Sequence, residues 1–346
     1  MMTNHSIPVA AAVDDTLAAV VVTQTALYYV EGADASVDRP AHVRAGSGLA
    51  AVPGGIALIQ DDANFIAVVT PGNARARAIP LPVGEGGLRQ FDARRGNKKY
   101  KLDLEACVAV DTDAGTLLLA LGSGSKRRRE QVVLVRGWEA QRPDVTLVHV
   151  PRLYETLRRE AAFAGSELNV EGAIYLGDRL RLFGRGNGEV RDDVRPVNAT
   201  CDLDWRRLLA HLDDPDHEPA PAPANICRYE LGTLGGIPLT FTDAAVWGGS
   251  VLYSAAAEAS PDATRDGRVT GSAIGVIDGA GRVRWTPLVD DSGALFVGKV
   301  EGVTAAGRAG GRVYAVVDAD DPEAASLLCT VELRGDWGFR ARSGDR

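Results

Sequence analysis

Four acidic residues recur at one position of a repeated segment, and they are the clearest chemical pattern in the sequence. Each begins an apolar run and is followed by a small residue; the pairs are Glu105-Ala106, Glu171-Gly172, Asp243-Ala244 and Glu301-Gly302. A fifth copy begins with Ser47-Gly48, and counted from Gly48 the successive copies start 57, 66, 72 and 58 residues apart. Repeats of this size are typical of propeller blades. We therefore expect the four carboxylates at one height of a central channel.

Carboxylates gathered in this way predict a cation site. Four of them around a narrow opening cannot all stay ionised without a counter-charge. Ca²⁺ takes about six to eight oxygen ligands and would supply that charge. The predicted ligands of this Ca²⁺ are Glu105, Glu171, Asp243 and Glu301. The alternative is that each carboxylate accepts backbone N–H bonds from the next blade and acts only as a structural latch.

A second recurring polar set follows the strand after each first position. It comprises Asp61-Asp62, Ser123 in a Gly-Ser turn, Arg185 and Asn187 in a Gly-rich turn, Glu258, and Asp318 with Asp320-Asp321. In a propeller these turns lie next to the first set. Glu258 or Asp318 is the predicted general base. Gly-rich turns can aim backbone N–H groups at an anion, which makes Ser123 and Asn187 predicted substrate contacts.

Basic residues near this set predict an anionic substrate. Only five lysines occur, and three of them, Lys98, Lys99 and Lys101, precede Glu105. Lys98, Lys99 and Arg185 are predicted to neutralise the substrate. Acidic residues with a cation, beside lysine and arginine, suit a phosphorylated substrate. The alternative for a basic run such as residues 126–129 is a solvated charged surface.

Short strands must position these residues. From Ser47 onward, apolar runs separated by Gly, Asp, Asn and Pro fall into five units of four strands. The prediction is an all-β fold, one β-propeller domain over residues 1–346 with five blade-like repeats in 47–346. Residues 1–46 are interpreted as most of a sixth blade, since six blades would average about 58 residues; the alternative is five blades and an N-terminal extension. Helices are predicted at 153–163 and 205–212.

Composition narrows the class of partner. The net charge of −8 and the pI near 5.3 argue against binding to nucleic acid, which favours a basic face. No apolar stretch approaches the roughly 20 residues of a membrane span. Residues 1–9 contain no Lys or Arg, so no secretory signal is expected, and we expect a cytoplasmic monomer. Its ligand would be a small molecule or a protein partner.

The cysteines and histidines point to no metal or nucleophile chemistry. The four cysteines contain no C-x-x-C pair, which predicts buried thiols, although a disulfide between Cys201 and Cys227 stays open. The five histidines lie outside the repeated positions, which argues against a serine–histidine hydrolase.

Several segments resemble a bacterial family of uncharacterised proteins. They include residues 96–105, 121–125, 168–172, 183–188, 241–245, 257–258, 271–275, 299–302 and 318–322, within a match over about 47–333. A wider similarity links the chain to phytase-like and esterase-like β-propellers, whose blades carry similar Glu-Gly strand starts. That resemblance implies a propeller with Ca²⁺-dependent phosphoester chemistry. No calcium or catalytic motif of the phytases matches residue by residue, so no catalytic residue is assigned from it.

Two functions follow from these observations. The first is a phosphoester or ester hydrolase that depends on a divalent cation at an acidic channel mouth. The second is a non-catalytic propeller that binds a small ligand or a protein through the same face and holds a structural cation.

Overall fold

The computed structural model describes residues 7–138, 140, 142–259, 267–307 and 311–339. These residues are mostly β, in antiparallel units that we call sheets I to V. The N-terminal strands are Val9–Ala10 (β1), Ala12–Val13 (β2), Ala18–Ala26 (β3) and Tyr28–Tyr29 (β4). Sheet I consists of Gly46–Val52 (β5), Gly55–Gln60 (β6), Phe65–Val69 (β7) and Arg75–Pro80 (β8). Sheet II consists of Leu104–Thr112 (β9), Gly115–Gly122 (β10), Gln131–Arg136 (β11) and Asp144–His149 (β12).

The remaining sheets follow in chain order. Sheet III consists of Val170–Tyr175 (β13), Arg179–Gly184 (β14), Asn198–Asp204 (β15) and Ala224–Glu230 (β16). After Thr233–Leu234 (β17), sheet IV consists of Ile237–Trp247 (β18), Ser250–Glu258 (β19), Val269–Ile277 (β20) and Val283–Val289 (β21). Sheet V consists of Lys299–Ala305 (β22), Arg312–Asp318 (β23), Leu327–Arg334 (β24) and the N-terminal strand β3.

The helices lie between strands, where the sequence predicts them. They are Pro151–Arg159 (α1), Ala161–Ala164 (α2) and Trp205–Asp213 (α3). Short 3₁₀ helices span Ala35–Val37, Glu85–Gly87, Lys98–Tyr100 and Arg127–Arg129. The helix predicted over 153–163 is interrupted at Glu160, whose backbone is not helical. Within the described ranges, no helix is long and apolar enough to cross a membrane.

The first strands of the five sheets pack against one another in sequence. β5 contacts β9, β9 contacts β13, β13 contacts β18, β18 contacts β22, and β22 contacts β5. The approach of the last strand to the first is close, because a Cβ placed on Gly302 would lie 2.9 Å from the Cα of Gly48. Apolar residues of neighbouring sheets fill the space between them, as Leu119 and Leu182 do between sheets II and III. The arrangement is β-propeller-like.

The N-terminal residues lie along the outer strands of other sheets. β3 pairs antiparallel with β24 from Ala18 opposite Arg334 to Ala26 opposite Leu327, and it is the fourth strand of sheet V. The shorter strands pair in parallel, β1 with β16, β2 with β21 and β4 with β8. The described part of residues 1–46 is therefore shared among sheets III, IV, V and I.

All four cysteines are free thiols, and three of them, Cys107, Cys201 and Cys329, are buried. The disulfide between Cys201 and Cys227 that the sequence left open is therefore not formed, which agrees with the prediction of buried apolar thiols.

Candidate functional site

A β-bulge recurs in the first strand of every sheet and defines the site. In each strand one residue is left out of the ladder with the second strand, so the chain bends and that residue is re-aimed. The bulged residues are Ser47, Glu105, Glu171, Thr242 and Glu301. Three of the four predicted carboxylates thus occupy equivalent positions.

Asp243 stands one residue beyond the bulge, where the other strands have Gly48, Ala106, Gly172 and Gly302. A shift of one residue along a strand moves a side chain to the other face. Asp243 is 1% exposed, and its Oδ2 accepts a 2.8 Å hydrogen bond from the backbone N–H of Val303. It does not line the cavity described below. The structure places Asp243 in the latch arrangement, joining sheet IV to sheet V.

Two further positions in the sheets face the same space. Two residues before the bulge stand Asp103, Asn169 and Lys299 in sheets II, III and V. At the end of the second strand stand Asp61, Ser123, Arg185 and Asp318 in sheets I, II, III and V. Backbone bonds fix these positions: Asp61 N–H donates to Ala45 O at 2.8 Å, and Ser123 N–H donates to Asp103 O at 2.8 Å.

These positions open into one polar cavity of about 470 Å³. Counted over the residues that the structure describes, its lining contains eleven acidic and six basic side chains. The acidic ones are Asp61, Asp62, Asp92, Asp103, Glu105, Glu171, Glu258, Glu301, Asp318, Asp320 and Asp321, and the basic ones are Arg94, Lys98, Lys101, Arg129, Arg185 and Lys299. The acidic channel mouth expected from the repeats is therefore supplied by several residue positions of the sheets rather than by one.

On one side of the cavity, Lys101 joins two carboxylates. Its Nζ lies 2.5 Å from Asp61 Oδ1 and 2.7 Å from Asp103 Oδ1. Asp103 Oδ2 also accepts a hydrogen bond from Ser123 Oγ and lies 2.8 Å from Arg129 Nη1. Burial raises the pKa of Asp61 to about 7, because the charge of Lys101 offsets it only in part. At Asp103 the attraction of Lys101 and Arg129 outweighs burial and lowers the pKa.

On the other side, Arg185 lies between Glu171 and Glu258. Its Nη2 is 2.5 Å from Glu258 Oε2 and its Nη1 is 3.5 Å from Glu171 Oε1. Burial raises the pKa of Glu171 to about 8, and Arg185 offsets that effect only in part. The pKa of Glu258 is lowered, because Arg185, Lys299 and the backbone N–H of Gly267 outweigh its burial. One guanidinium therefore contacts a carboxyl whose pKa is raised and another whose pKa is lowered.

Lys299 extends this second group to sheet V. Its Nζ lies 2.7 Å from Glu301 Oε1 and 3.5 Å from Glu258 Oε2. Burial raises the pKa of Glu301 in spite of this ammonium. Burial, together with repulsion by Asp320, also raises the pKa of Asp318 well above its usual range.

Only some of the predicted substrate contacts line the cavity. Lys98 and Asn187 line the cavity with Arg185. Ser123 is 1% exposed and bonds to Asp103 instead of facing the open space. Lys99 is exposed and lies 4.9 Å from the centre of the Tyr100 ring, outside the lining. Both predicted general bases, Glu258 and Asp318, line the cavity.

The carboxylates nearest to a cation geometry are not the predicted set. Within the described part of the chain, one group offers ligand oxygens that all lie within 4.8 Å of one another, and it consists of Asp61, Asp103 and Glu105. The ammonium of Lys101 already contacts the first two. Glu171, Asp243 and Glu301 belong to no such group among those residues.

Sequence reasoning missed Asp103, Lys299 and Arg129 as parts of the site. A period of two along the strand would have found the first two, since Asp103 and Lys299 precede Glu105 and Glu301 by two residues and alternate residues share a face. Arg129 belongs to the basic run that the sequence left open between the site and a solvated surface, and a 3₁₀ turn outside the repeat brings it to Asp103.

The chain belongs to a family of unknown function (DUF6929), whose model matches residues 42–333. No curated protein matches it. Among solved structures it is similar to the glutaminyl cyclase of Myxococcus xanthus, with 12% identity, a TM-score of 0.46, and 95% of this chain and 99% of the other covered. A protein of unknown function from Dyadobacter fermentans is also similar, with 10% identity, a TM-score of 0.38, and 91% and 99% covered. The family agrees with the predicted uncharacterised family, while the relation to phytases stays a prediction.

Proposed function

We propose that the chain is a hydrolase of ester bonds whose active site is the polar cavity of a five-bladed propeller. The observation that carries the proposal is that one open cavity holds carboxyl groups whose surroundings shift their pKa values in opposite directions. Pairs of titratable groups whose surroundings drive their pKa values apart mark acid and base roles in enzymes. Asp61 and Glu171, with raised pKa values, and Asp103 and Glu258, with lowered ones, are such groups.

Five blades are favoured over six by the pairing of the N-terminal strand. β3 completes sheet V beside β24, so the first and last parts of the chain share one sheet. A propeller closed in this way uses hydrogen bonds to hold its ends together. The contact of β22 with β5 supports the same closure.

Asp61 is the residue best suited to move a proton. Its side chain is 23% exposed, whereas those of Asp103 and Glu258 are 3% and 1% exposed. A pKa of about 7 lets it both accept and donate near neutral pH. In ester hydrolysis, Asp61 would take a proton from the attacking water as the new C–O bond forms. It would then give that proton to the oxygen of the leaving alcohol as the old C–O bond breaks.

The charges of the lining indicate which kind of ester the cavity can accept. Lys101, Arg185 and Lys299 each contact carboxylates, so their charges are largely compensated within the site. A carboxylic ester therefore suits the cavity better than a bare phosphoester. A phosphoester would need a divalent cation to accompany it.

The test is turnover on a panel of carboxylic and phosphate esters, with and without Ca²⁺. Replacing the proposed acid–base group in Asp61→Asn should lower kcat at least about 100-fold. Glu155→Gln changes a carboxylate on α1 whose side chain is 59% exposed and should leave kcat unchanged. Absence of hydrolysis by the wild-type protein over the whole panel would refute the proposal.

The second candidate is a propeller that binds its ligand without turnover and holds a structural Ca²⁺. It is favoured by the oxygens of Asp61, Asp103 and Glu105, which lie within 4.8 Å of one another. A cation at 100 times its Kd adds about 2.7 kcal/mol to the free energy of unfolding. A thermal melt of chelator-treated protein with and without Ca²⁺ measures this. If Ca²⁺ leaves the Tm unchanged, the protein does not hold a structural Ca²⁺ at this group.

A further inference from the structure

Positive charge in the cavity is already engaged by carboxylates. Lys101 contacts Asp61 and Asp103, and Arg185 contacts Glu171 and Glu258. Among the residues that the structure describes, eleven acidic side chains nevertheless face six basic ones in the lining. A positive group entering this space would be attracted by the ionised carboxylates, whereas an anion would find the basic groups already paired.

Glu301 gives an independent indication of a missing donor. Its Oε1 lies 2.7 Å from Lys299 Nζ, but its Oε2 is buried and has no hydrogen-bond partner among the residues that the structure describes. The side chain is 10% exposed and lines the cavity. Buried polar atoms are almost always hydrogen-bonded, so an unpartnered one in a cavity lining is a place where a ligand or a water can donate.

Two more carboxyls line the same cavity. Glu105 occupies in sheet II the bulge position that Glu301 has in sheet V, and Asp318 ends the second strand of sheet V. A positive group placed between these sheets would therefore have carboxyls from both of them in the lining around it.

We propose that the cavity binds a ligand that carries a positively charged nitrogen with N–H donors, and that Glu301, Glu105 and Asp318 receive it. With the proposed function, on which this last step rests, the substrate is an ester that bears an ammonium group. An organic cation fits better than a single metal ion. Glu301 and Asp318 are outside the one described group of carboxylates whose oxygens lie within 4.8 Å of one another. A cavity of about 470 Å³ also has room for an extended molecule.

The experiment is isothermal titration calorimetry with four probes and no turnover. They are 1,4-diaminobutane, its neutral analogue 1,4-butanediol, inorganic phosphate and CaCl₂. We expect the diamine to bind and the diol to bind at least about tenfold more weakly, a difference of about 1.4 kcal/mol. Glu301→Gln should weaken binding of the diamine by at least the same factor. Glu332→Gln changes a partly exposed carboxylate that is paired with Arg334, and it should leave the affinity for the diamine unchanged.

Each outcome decides the inference. Tighter binding of phosphate than of the diamine overturns it, and so does Ca²⁺ that binds and displaces the diamine. Diamine affinity that is equal in the wild type and in Glu301→Gln also overturns it. If Glu301→Gln does not fold, Asp318→Asn takes its place in the same comparison. Diamine binding without hydrolysis of any ester supports the inference and refutes the hydrolase, so the two can fail separately.

Discussion

The backbone N–H of Val303 donates a 2.8 Å hydrogen bond to Oδ2 of Asp243, across the boundary between sheets IV and V. Asp243 is almost fully buried, and its burial raises its pKa well above the ordinary value in spite of this bond. The raised pKa favours the neutral form of the carboxyl, which accepts the bond without carrying a charge into the interior. The bond connects sheet IV to sheet V.

Asp243→Asn should lose less stability than the wild type as pH rises. The folded pKa is raised above the ordinary 3.8 by burial, so the contribution of Asp243 to stability is full below that value and is lost as pH rises. Asparagine keeps an acceptor for Val303 and has no proton to lose, but its NH₂ group finds no partner at the place of the buried Oδ1, which costs stability at every pH. Urea unfolding should therefore show a flatter pH profile for Asp243→Asn than for the wild type between about pH 4 and about pH 7.

The matched variant Asp243→Ala removes the acceptor and should cost about 1–3 kcal/mol, because the buried N–H of Val303 is left unsatisfied. If the wild type and Asp243→Asn had the same pH profile of stability, Asp243 would have to be ionised in the folded protein.

Gly302→Ala should destabilise the protein, because the first and last sheets approach closely at this glycine. A Cβ there would lie 2.9 Å from the Cα of Gly48, which is backbone and cannot move aside cheaply. Overpacking of this kind costs about 1–3 kcal/mol. Gly249→Ala is the control, since a Cβ at that turn meets nothing within 4 Å. Equal unfolding free energies for the two variants would show that β22 does not pack on β5 in this way.

The repeat predicted the strands and the height of the site, but it did not resolve the register. Small residues follow each acidic position, and aligning on them matched Asp243 with Glu171. The ladder instead matches Thr242 with Glu171, because the bulge lies there in sheet IV. A bulge shifts the register by one residue, and nothing in the local composition of that strand distinguishes the two alignments.

The N-terminal strand was recognised as β but its partners were not. Its apolar composition predicts a strand, whereas pairing with β24, about 300 residues away, depends on the whole ring. The same reason hid Arg129, whose contact with Asp103 is made by a turn outside the repeat. The positions of residues inside the repeated unit could be predicted, because they recur at the same place in each copy of the repeat.

Val21→Ala and its neighbour Val22→Ala form a matched pair for testing the place of β3. Val21 is 4% exposed and packs in the core of sheet V, whereas Val22 is 38% exposed. The first variant should lower the free energy of unfolding by about 2 kcal/mol, from lost apolar burial and the space left behind. The second should change it by less than about 0.5 kcal/mol. Comparable small losses in both would mean that β3 is not an integral strand of sheet V.

Glu171 should make the protein less stable as pH rises. Its folded pKa is raised from 4.5 to about 8, so its stabilising contribution is complete below about pH 4.5 and is lost progressively up to about pH 8. Over that window the loss is on the order of a few kcal/mol, since each pKa unit corresponds to about 1.4 kcal/mol. Urea unfolding at several pH values should show a falling free energy for the wild type and a flatter profile for Glu171→Gln. Glu155→Gln, on an exposed carboxylate of α1, should keep the wild-type slope. A slope that survives unchanged in Glu171→Gln would mean that this carboxyl is ionised in the folded protein, and the division of the cavity into proton-holding and ionised carboxyls would fail at Glu171.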